Sequence, residues 1–571
     1  MFSSIGKSHG RILAAIATVG LAAAGQAEAS TIYQFTGQTP GTTSTPVSGV
    51  FTGGFNDGTA YVTPANSSNS YLQFNGTNAY TATDDGSVTS IGQLTFGTGS
   101  AATVALNGTS LTDSGNLNSS SGSAVPIIEN GSSTAVTLTN SGGNSALYAV
   151  IKDGGTASLS LATSGTAYLR LFGANTYSGG TTIGTGSTIE ADNNTALGTG
   201  LVTLSGGTIS VAGSNSTLAN NITGSGTFSP YNVNLTLNGS LTGSGTLQRT
   251  QFSGQAVNSV FLNGNNSGFS GTFIVNSGAL RFNSPSASSA SALWIDNVGG
   301  NYFSLSAGNY SFGGLQGNSS GVIYNGSASL TTMTLGGRND TLDNYSGDIG
   351  NFGGSGGANI SVTKTGTGTQ EFSGANVYTQ GTTVSQGTLL VTNTSGSATG
   401  TGAVTVSSGA TLAGTGIITG AVTINSGGIL SPGDAPGTLT LSGGLTLANS
   451  SVLAYTLATP NVTGGTGGND LTSTVALSLG TGVNLSITQG TGFGAGVYHL
   501  IDYTGSLTGG TNLSTWTISG LTGSEHGALS LGSDGSKTAV NLTVSVPEPA
   551  TLGMLAIGGL GLLLTGRRRR A

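Results

Sequence analysis

The chain repeats itself, and this repetition restricts its fold more than any other feature of the sequence. The segment GANTYSGGTTI begins at Gly173, and GANVYTQGTTV begins at Gly374. A looser copy occupies residues 264–274. We expect the matched asparagines to hydrogen-bond the backbone of a turn, and the matched aromatic rings to be buried at equivalent positions. These residues are Asn175 with Tyr177, Asn266 with Phe269, and Asn376 with Tyr378.

A shorter rhythm runs beyond the third copy. Residues 403–406 read AVTV, 421–424 read AVTI and 438–441 read TLTL, and a glycine-containing turn follows each. Apolar residues that alternate with small or polar ones indicate a β-strand with one buried face. Such strands fit a chain that coils in turns of about 20–25 residues, each turn packing against its neighbours. A meander of hairpins would use similar turns, so the spacing alone leaves that alternative open.

Composition narrows the classes of fold and partner. Of 571 residues, 101 are glycine, 11 are proline and none is cysteine, while 6% are charged and 36% are hydrophobic. That hydrophobic share is too high for a disordered chain, and the glycines follow no collagen period. Without cysteine the chain can form no disulfide and use no catalytic thiol. Once both ends are set aside, acidic residues clearly outnumber basic ones, which argues against nucleic acid as a partner.

Residues 1–29 have the three parts of a secretory signal peptide. Basic residues come first, and residues 12–24 form an apolar stretch that is too short to cross a membrane comfortably. Ala27 and Ala29 then fit the small-x-small cleavage rule, which places Ser30 at the mature N-terminus. We therefore expect a signal helix that the general secretion machinery recognises and signal peptidase removes.

The C-terminus has a second three-part segment. A proline-rich motif is followed by an uncharged stretch between Glu548 and Arg567, and then by a basic cluster. At ~1.5 Å per residue a helix over this stretch reaches about 27 Å, marginally enough to cross a bilayer core. We predict a transmembrane helix with its basic end in the cytoplasm and the body of the chain outside. The motif is Val546, Pro547, Glu548 and Pro549, and the basic cluster is Arg567, Arg568, Arg569 and Arg570.

This tail resembles the PEP-CTERM sorting signal of Gram-negative bacteria. The resemblance covers residues 546–571 and includes the motif, the apolar stretch and the arginine cluster in the same order. It implies recognition by an exosortase-type membrane processing enzyme and a link to exopolysaccharide-producing biofilms. The protein would then be held transiently at the inner membrane before it reaches the cell surface or the extracellular matrix. A plain tail anchor is the alternative.

The internal copies resemble the autotransporter-associated β-strand repeat, over about residues 160–510. The resemblance implies a right-handed parallel β-helix displayed outside the cell, although here the sorting tail stands where a translocator domain would be expected. We therefore predict an all-β fold, an elongated right-handed parallel β-helix with a signal helix and a transmembrane helix at its ends. The predicted segments are 1–29 (signal peptide), 30–160 (start or cap of the solenoid), 161–458 (repeat-bearing β-helix), 459–545 (C-terminal β region) and 546–571 (sorting tail).

No group of residues points to catalysis, a metal or a cofactor. His499 and His526 stand near no serine motif and no second histidine at metal spacing. Glycosidic cleavage needs two carboxyl groups at a set separation, and we expect Asp340 and Asp343 to be solvated acids of a turn instead. Glycine–aspartate stretches at 336–340 and 464–470 are only weakly similar to a calcium-binding repeat. The carboxylate groups considered are Asp84 with Asp85, Glu190 with Asp192, and Asp340, Asp343 and Asp348.

The sequence thus favours an exported, non-catalytic structural or adhesive protein, with exopolysaccharide as a partner outside the cell. Two other classes stay open. A carbohydrate-binding module would need a row of exposed aromatic side chains. A β-helical polysaccharide lyase or hydrolase would show activity on acidic polysaccharides.

Overall fold

A computed structural model describes residues 31–35, 49–50, 67–74, 80–83 and 88–546, with gaps at 99, 123, 252–257, 298–301, 351–357 and 434–435. Within these ranges the regular structure is β-strand apart from two short 3₁₀ helices, Pro285–Ala287 and Gly510–Thr515. The described part contains no helix of the length and apolarity that a membrane crossing needs. The predicted signal and transmembrane helices fall outside these ranges, as do Asp84 and Asp85.

Successive strands pair in parallel with the strand one turn further along the chain. Leu161 pairs with Thr181, Thr181 with Val202, and Val202 with Ile222. Each turn here therefore contains about 20 residues, which is at the short end of the repeat lengths that are usual for solenoids. Further along, turns are longer, as in the pairing of Asn484 with Thr517. The prediction of an all-β solenoid of stacked parallel strands is confirmed, whereas the predicted turn length is exceeded where long loops are inserted between strands.

Each turn has three sides. The first side is one ladder of strands that runs the length of the described chain. Its strands are Thr31–Phe35, Ser67–Phe74, Ser90–Phe96, Leu117–Ser119, Asn144–Leu147, Tyr168–Leu171, Thr188–Ala191, Val202–Ser210, Ile222–Phe228, Thr246–Arg249, Thr272–Val275, Leu293–Asp296, Gly314–Gly317, Asp343–Tyr345, Thr369–Phe372, Thr388–Val391, Thr411–Gly414, Ile429–Pro432, Val452–Leu457, Asn484–Gln489 and Thr517–Ser519.

The second side consists of three separate sheets. The first has strands Gly49–Val50, Tyr80–Thr83, Ala102–Leu106, Ile127–Asn130 and Val150–Asp153. The second has Ser216–Leu218, Leu235–Leu237, Ser259–Leu262, Ala279–Phe282, Phe303–Leu305, Val322–Asn325 and Asp348–Ile349. The third has Ile417–Ile418, Thr438–Leu441, Leu471–Thr474, Gly496–Tyr503, His526–Asp534 and Lys537–Ser545.

The third side has two runs of strands, and some strands bend from it into the first side. Val202–Ser210 does so, because its start pairs with Thr181–Gly184 and its end with Thr188–Ala191. The earlier run is Leu111–Asp113, Val136–Asn140, Leu159–Thr163, Thr181–Gly184 and Leu241–Thr242. The later run is Gly308–Phe312, Thr331–Leu335, Ile360–Lys364, Thr382–Val384, Val404–Val406, Val422–Ile424, Leu445–Leu447, Leu477–Leu479 and Leu507–Thr508.

Inward-pointing side chains of the three sides form one continuous apolar core. The alternation that predicted strands also predicts which residues are inside: in Leu159–Thr163 every second residue is buried. Aromatic rings of neighbouring turns stack within the core, Phe273 with Trp294 of the next turn and Phe228 with Phe273 two turns further on. The ring centroids of Phe228 and Phe273 are 6.1 Å apart, and those of Phe273 and Trp294 are 5.5 Å apart.

The parallel stack changes to antiparallel pairing at its C-terminal end. Lys537–Ser545 pairs antiparallel with Gly496–Tyr503 on one edge and with His526–Asp534 on the other. This hairpin lies on the second side and supplies the last two strands of its sheet.

A buried carboxyl group makes the stability of the stack depend on pH. Asp113 lies in register with Asn140 of the next turn. Asp113 Oδ1 accepts a hydrogen bond from Gly115 N at 2.9 Å. Within the described part of the chain, Asp113 Oδ2 and Asn140 Oδ1 are buried acceptors without a hydrogen-bond donor. Burial therefore raises the pKa of Asp113 from 3.8 to about 6.

We predict that Asp113→Asn stabilises the protein at about pH 7.5 and changes little at about pH 4. The folded state holds the Asp113 proton more tightly than the unfolded state, so this group's stabilisation is complete below about pH 4 and is lost as the pH rises to about 6. The asparagine amide supplies an uncharged donor in place of the proton. At about 1.4 kcal/mol per pKa unit, the gain in unfolding free energy is at most about 3 kcal/mol.

Urea unfolding of both proteins at the two pH values measures this difference. A gain of equal size at both pH values would contradict the assigned role of the Asp113 charge.

Candidate functional site

Asn175 joins the turn before it to the turn after it. Its Oδ1 accepts a hydrogen bond from Ile151 N at 2.8 Å, and its Nδ2 donates one to Ala196 O at 2.7 Å. The side chain is fully buried. A strand at this position would hydrogen-bond the turn before it and the turn after it, and the Asn175 side chain makes such bonds in its place.

The two matched asparagines make the same pair of bonds. Asn266 accepts from Leu241 N at 2.7 Å and donates to Ala287 O at 2.8 Å. Asn376 accepts from Ile349 N at 2.8 Å and donates to Ala398 O at 2.5 Å. Both side chains are buried. We call Asn175, Asn266 and Asn376 the bridging asparagines.

The bridging asparagines lie where a side of the coil lacks a strand. Asn175 stands between the end of one second-side sheet, Val150–Asp153, and the start of the next, Ser216–Leu218. Asn376 stands in the second interruption of that side, before Ile417–Ile418. Asn266 differs, because it follows a second-side strand and fills an interruption of the third side. The expectation of three equivalent positions is thus correct for the hydrogen bonds and wrong for the side of the coil.

The aromatic partners of these residues are all buried in the core. The hydroxyl groups of Tyr177 and Thr181 are 2.6 Å apart, and those of Tyr378 and Thr382 are also 2.6 Å apart. Each threonine stands four residues after its tyrosine in both copies, so the spacing could have indicated this pairing from the sequence. In the looser copy Phe269 has no hydroxyl and packs edge-on against Trp294, with ring centroids 6.3 Å apart.

A glycine in the following turn makes room for each tyrosine. Gly198 and Gly400 have φ values of +65° and +63°. A Cβ atom at Gly198 would lie 2.4 Å from Tyr177 O, and one at Gly400 would lie 1.9 Å from Tyr378 O. Both positions therefore require glycine for conformation and for space.

The carboxyl groups of Asp340 and Asp343 lie in different environments. Asp340 is half-buried and forms an ion pair with Arg338, at 2.7 Å between Oδ2 and Nε. Asp343 is only 2% exposed, and its Oδ1 accepts a hydrogen bond from Gln316 Nε2 at 2.8 Å. The expectation that Asp343 is a solvated turn residue is wrong, because Asp343–Tyr345 is a strand whose first residue points inward. Burial raises the pKa of Asp343.

Glu190 and Asp192 face the outside of the first side. Glu190 Oε1 accepts from Arg170 Nε at 2.8 Å, and Glu190 Oε2 accepts from the Tyr168 hydroxyl. Asp192 Oδ1 accepts from Ala212 N at 3.0 Å. Partial burial raises the pKa of Asp192 from 3.8 to about 6, and the neighbouring Glu190 charge adds to this shift.

The remaining candidate side chains are used by the fold. Asp470 is buried and accepts from Thr456 N at 2.6 Å. The preceding Asn469 accepts from Ala458 N at 2.7 Å. The Nδ1 atom of His499 is 2.9 Å from Asn541 Oδ1. Across the described ranges, no three His, Cys, Asp or Glu side chains are grouped so that they could hold a metal ion.

The residues predicted for export and sorting lie almost entirely beyond the described ranges. Val546 is described and is exposed. The other members fall outside: Ala27, Ala29, Ser30, Pro547, Glu548, Pro549, Arg567, Arg568, Arg569 and Arg570.

Two family models match parts of the chain. The passenger-associated-transport-repeat matches residues 161–191 and 362–391. Each range contains one bridging asparagine, its tyrosine and the two strands that follow, so each match covers an interruption of the second side. The copy at 264–274, which bridges the third side, lies outside both ranges. The PEP-CTERM protein-sorting motif matches residues 545–570.

One curated relative shares a short stretch with the chain. The adhesin BmaC autotransporter of Brucella suis biovar 1 (strain 1330) is 42% identical over 83 residues. This stretch is 14% of the present chain and 2% of the adhesin, so the chain spans only a small fraction of its relative.

We predict that Asn266→Ala lowers the free energy of unfolding by about 2–4 kcal/mol, because the backbone N–H of Leu241 and the carbonyl of Ala287 lose their buried partner. The neighbouring Asn265→Ala is the matched control, since Asn265 is exposed and bonds only the local Ser267 N. Urea unfolding of the two variants beside the parent protein measures the difference. Equal destabilisation by both substitutions would contradict a bridging role for Asn266.

Proposed function

Since the chain carries a PEP-CTERM sorting motif and two passenger-type repeats, we propose that it is an exported, non-catalytic, adhesin-like structural protein of the bacterial surface or extracellular matrix. The observation that carries this proposal is the combination of the two matches in one chain. The repeats lie in a parallel solenoid, and the sorting motif follows its last strand directly.

The solenoid is suited to a structural role. Its turns are joined by backbone pairing on three sides and by the bridging asparagines where a strand is missing. Its outer surface is poor in charge, because only 6% of all residues are charged. Such a stack presents a long surface for contacts with other molecules.

The carboxyl groups support a non-catalytic reading. Asp340 is paired with Arg338, Asp343 is enclosed in the core, and Glu190 is held by Arg170 and Tyr168. A lyase or hydrolase would need a free acid and base pair in an open cleft. Asp340 and Asp343 lack that arrangement, and both carboxylate oxygens of Glu190 are already hydrogen-bonded.

The sorting route of the proposal rests on the two ends of the chain. We propose that signal peptidase cleaves before Ser30 and that residues 550–566 form a helix held briefly in the inner membrane. Pro547 and Pro549 cannot lie inside a stable helix, so the motif stays accessible to an exosortase-type enzyme.

Segments 30–160 and 459–545 begin and close the solenoid, and exopolysaccharide is its proposed matrix partner. The coil is right-handed, as connections between parallel strands of one sheet nearly always are.

We predict that replacing Pro547, Glu548 and Pro549 by alanines leaves the protein membrane-held and uncleaved. Replacing the four arginines at 567–570 by glutamine should instead impair retention and orientation, because the positive charges hold that end in the cytoplasm. Cell fractionation, with mass spectrometry of the C-terminus in each fraction, separates the two effects.

The matched control replaces Thr543, which lies in a strand before the motif, by alanine. Release of the alanine-motif variant in the same processed form as the parent protein would overturn the sorting proposal.

A further inference from the structure

An open groove of about 390 Å³ lies on the outer face of the first side and extends to its corner with the second side. We call it the corner groove. Its size falls within the range of ~300–1,000 Å³ that is usual for ligand sites. Its lining residues come from separate turns of the solenoid and are Asn144, Tyr168, Arg170, Glu190, Ala212 and Tyr231.

Ala212, a small residue between Asp192 and Tyr231 of the neighbouring turns, forms the floor of the corner groove. Asp192 and Ala212 follow the first-side strand of successive turns and are joined by the bond from Ala212 N to Asp192 Oδ1. Tyr231 lies in the next turn, where its N–H donates to Val211 O at 2.8 Å. Tyr231 is 41% exposed and lines the groove together with Ala212.

Two aromatic rings lie at the same corner in the preceding turns of the solenoid. The rings of Tyr148 and Phe172 stack with centroids 4.2 Å apart and planes 6° apart. The Arg170 guanidinium lies 5.4 Å from the centre of the Phe172 ring. At ~4.8 Å between turns, the four steps from Tyr148 to Tyr231 span about 19 Å. The corner therefore offers a strip that is longer than a single small molecule.

The polar groups of the corner groove are held in place and carry no excess of positive charge. Arg170 uses its Nε–H for Glu190, and 41% of its side chain is exposed. Glu190 and Asp192 together supply two carboxyl groups against this one guanidinium. The groove thus has fixed donors and acceptors but disfavours an anionic ligand.

We propose that the corner groove binds a neutral oligosaccharide. A sugar ring has an apolar face of C–H groups that packs on a flat aromatic ring, and a rim of hydroxyl groups that both donate and accept hydrogen bonds. Tyr231 supplies the ring and Arg170 supplies donors. Glu190 in the lining supplies acceptors, and Asp192 lies beside the groove, where it is bonded to Ala212 N. The inference deepens the proposed surface function and rests on it for access to glycans outside the cell.

The charge of the groove decides between classes of glycan. A polyuronate or another acidic chain would bring carboxylates toward Glu190 and Asp192, and the protein as a whole has more acidic than basic residues. A neutral chain meets no such repulsion. The length of the strip favours several linked sugars over a monosaccharide.

Isothermal titration of the detergent-solubilised full chain tests this proposal. The probes are neutral hexasaccharides (cellohexaose, laminarihexaose, maltohexaose and mannohexaose) and acidic hexasaccharides of galacturonate and mannuronate. At least one neutral probe should bind, and Tyr231→Ala should weaken its binding tenfold or more. Ala212→Phe should abolish binding by filling the floor, although it adds apolar surface.

The matched control is Phe261→Ala on the second side. Phe261 is also an outward aromatic residue beside an arginine, with Arg281 5.6 Å from its ring centre, but it lies away from the corner groove. This variant should bind as the parent protein does.

Three results would overturn the proposal: no binding of any neutral probe, binding of acidic probes alone, or neutral binding that Tyr231→Ala and Ala212→Phe leave unchanged. These results leave the surface function standing, because that is tested by cell fractionation. Conversely, a protein that binds glycans in the titration but never leaves the cell would refute the surface function alone.

Discussion

Parallel hydrogen bonding between one turn and the next is the interaction on which the rest of the solenoid depends. It requires the chain to return to a paired strand after every turn, whereas the length of chain between the paired strands varies. The step from Asn484 to Thr517 is nearly twice as long as the step from Thr411 to Ile429, yet both end in a paired first-side strand.

The bridging asparagines follow from this requirement. Where two successive turns lack a strand on one side, the backbone groups of the neighbouring strand would be buried without partners. An asparagine side chain carries one acceptor and one donor group, as a peptide unit does, and it is uncharged. Asn175, Asn266 and Asn376 can therefore stand in for the missing strand without burying a charge. The recognisable repeats mark interruptions of a sheet rather than every turn of the coil.

The sequence predicts those parts of the structure that are encoded locally. Alternating apolar residues and glycine turns predict strands, and the copies that begin at Gly173 and Gly374 predict a shared hydrogen-bonding role for their asparagines. The side on which Asn266 lies is not predictable in this way, since a short local pattern specifies a turn and not its place among three corners. Asp343 lies in a loop-like stretch of sequence, yet it belongs to a strand that pairs with Gly314–Gly317 on one edge and Thr369–Phe372 on the other. The corner groove combines residues from five successive turns, so no short local motif predicts it.

We have proposed that the solenoid is displayed outside the cell after its sorting tail is removed. Labelling of intact cells with two antibodies tests this most directly, one raised against the folded solenoid and one against residues 560–571. The account predicts that the first antibody labels intact cells and that the protein it captures does not react with the second. Labelling by the first antibody only after the cells are opened, or captured surface protein that still carries the tail, would contradict it.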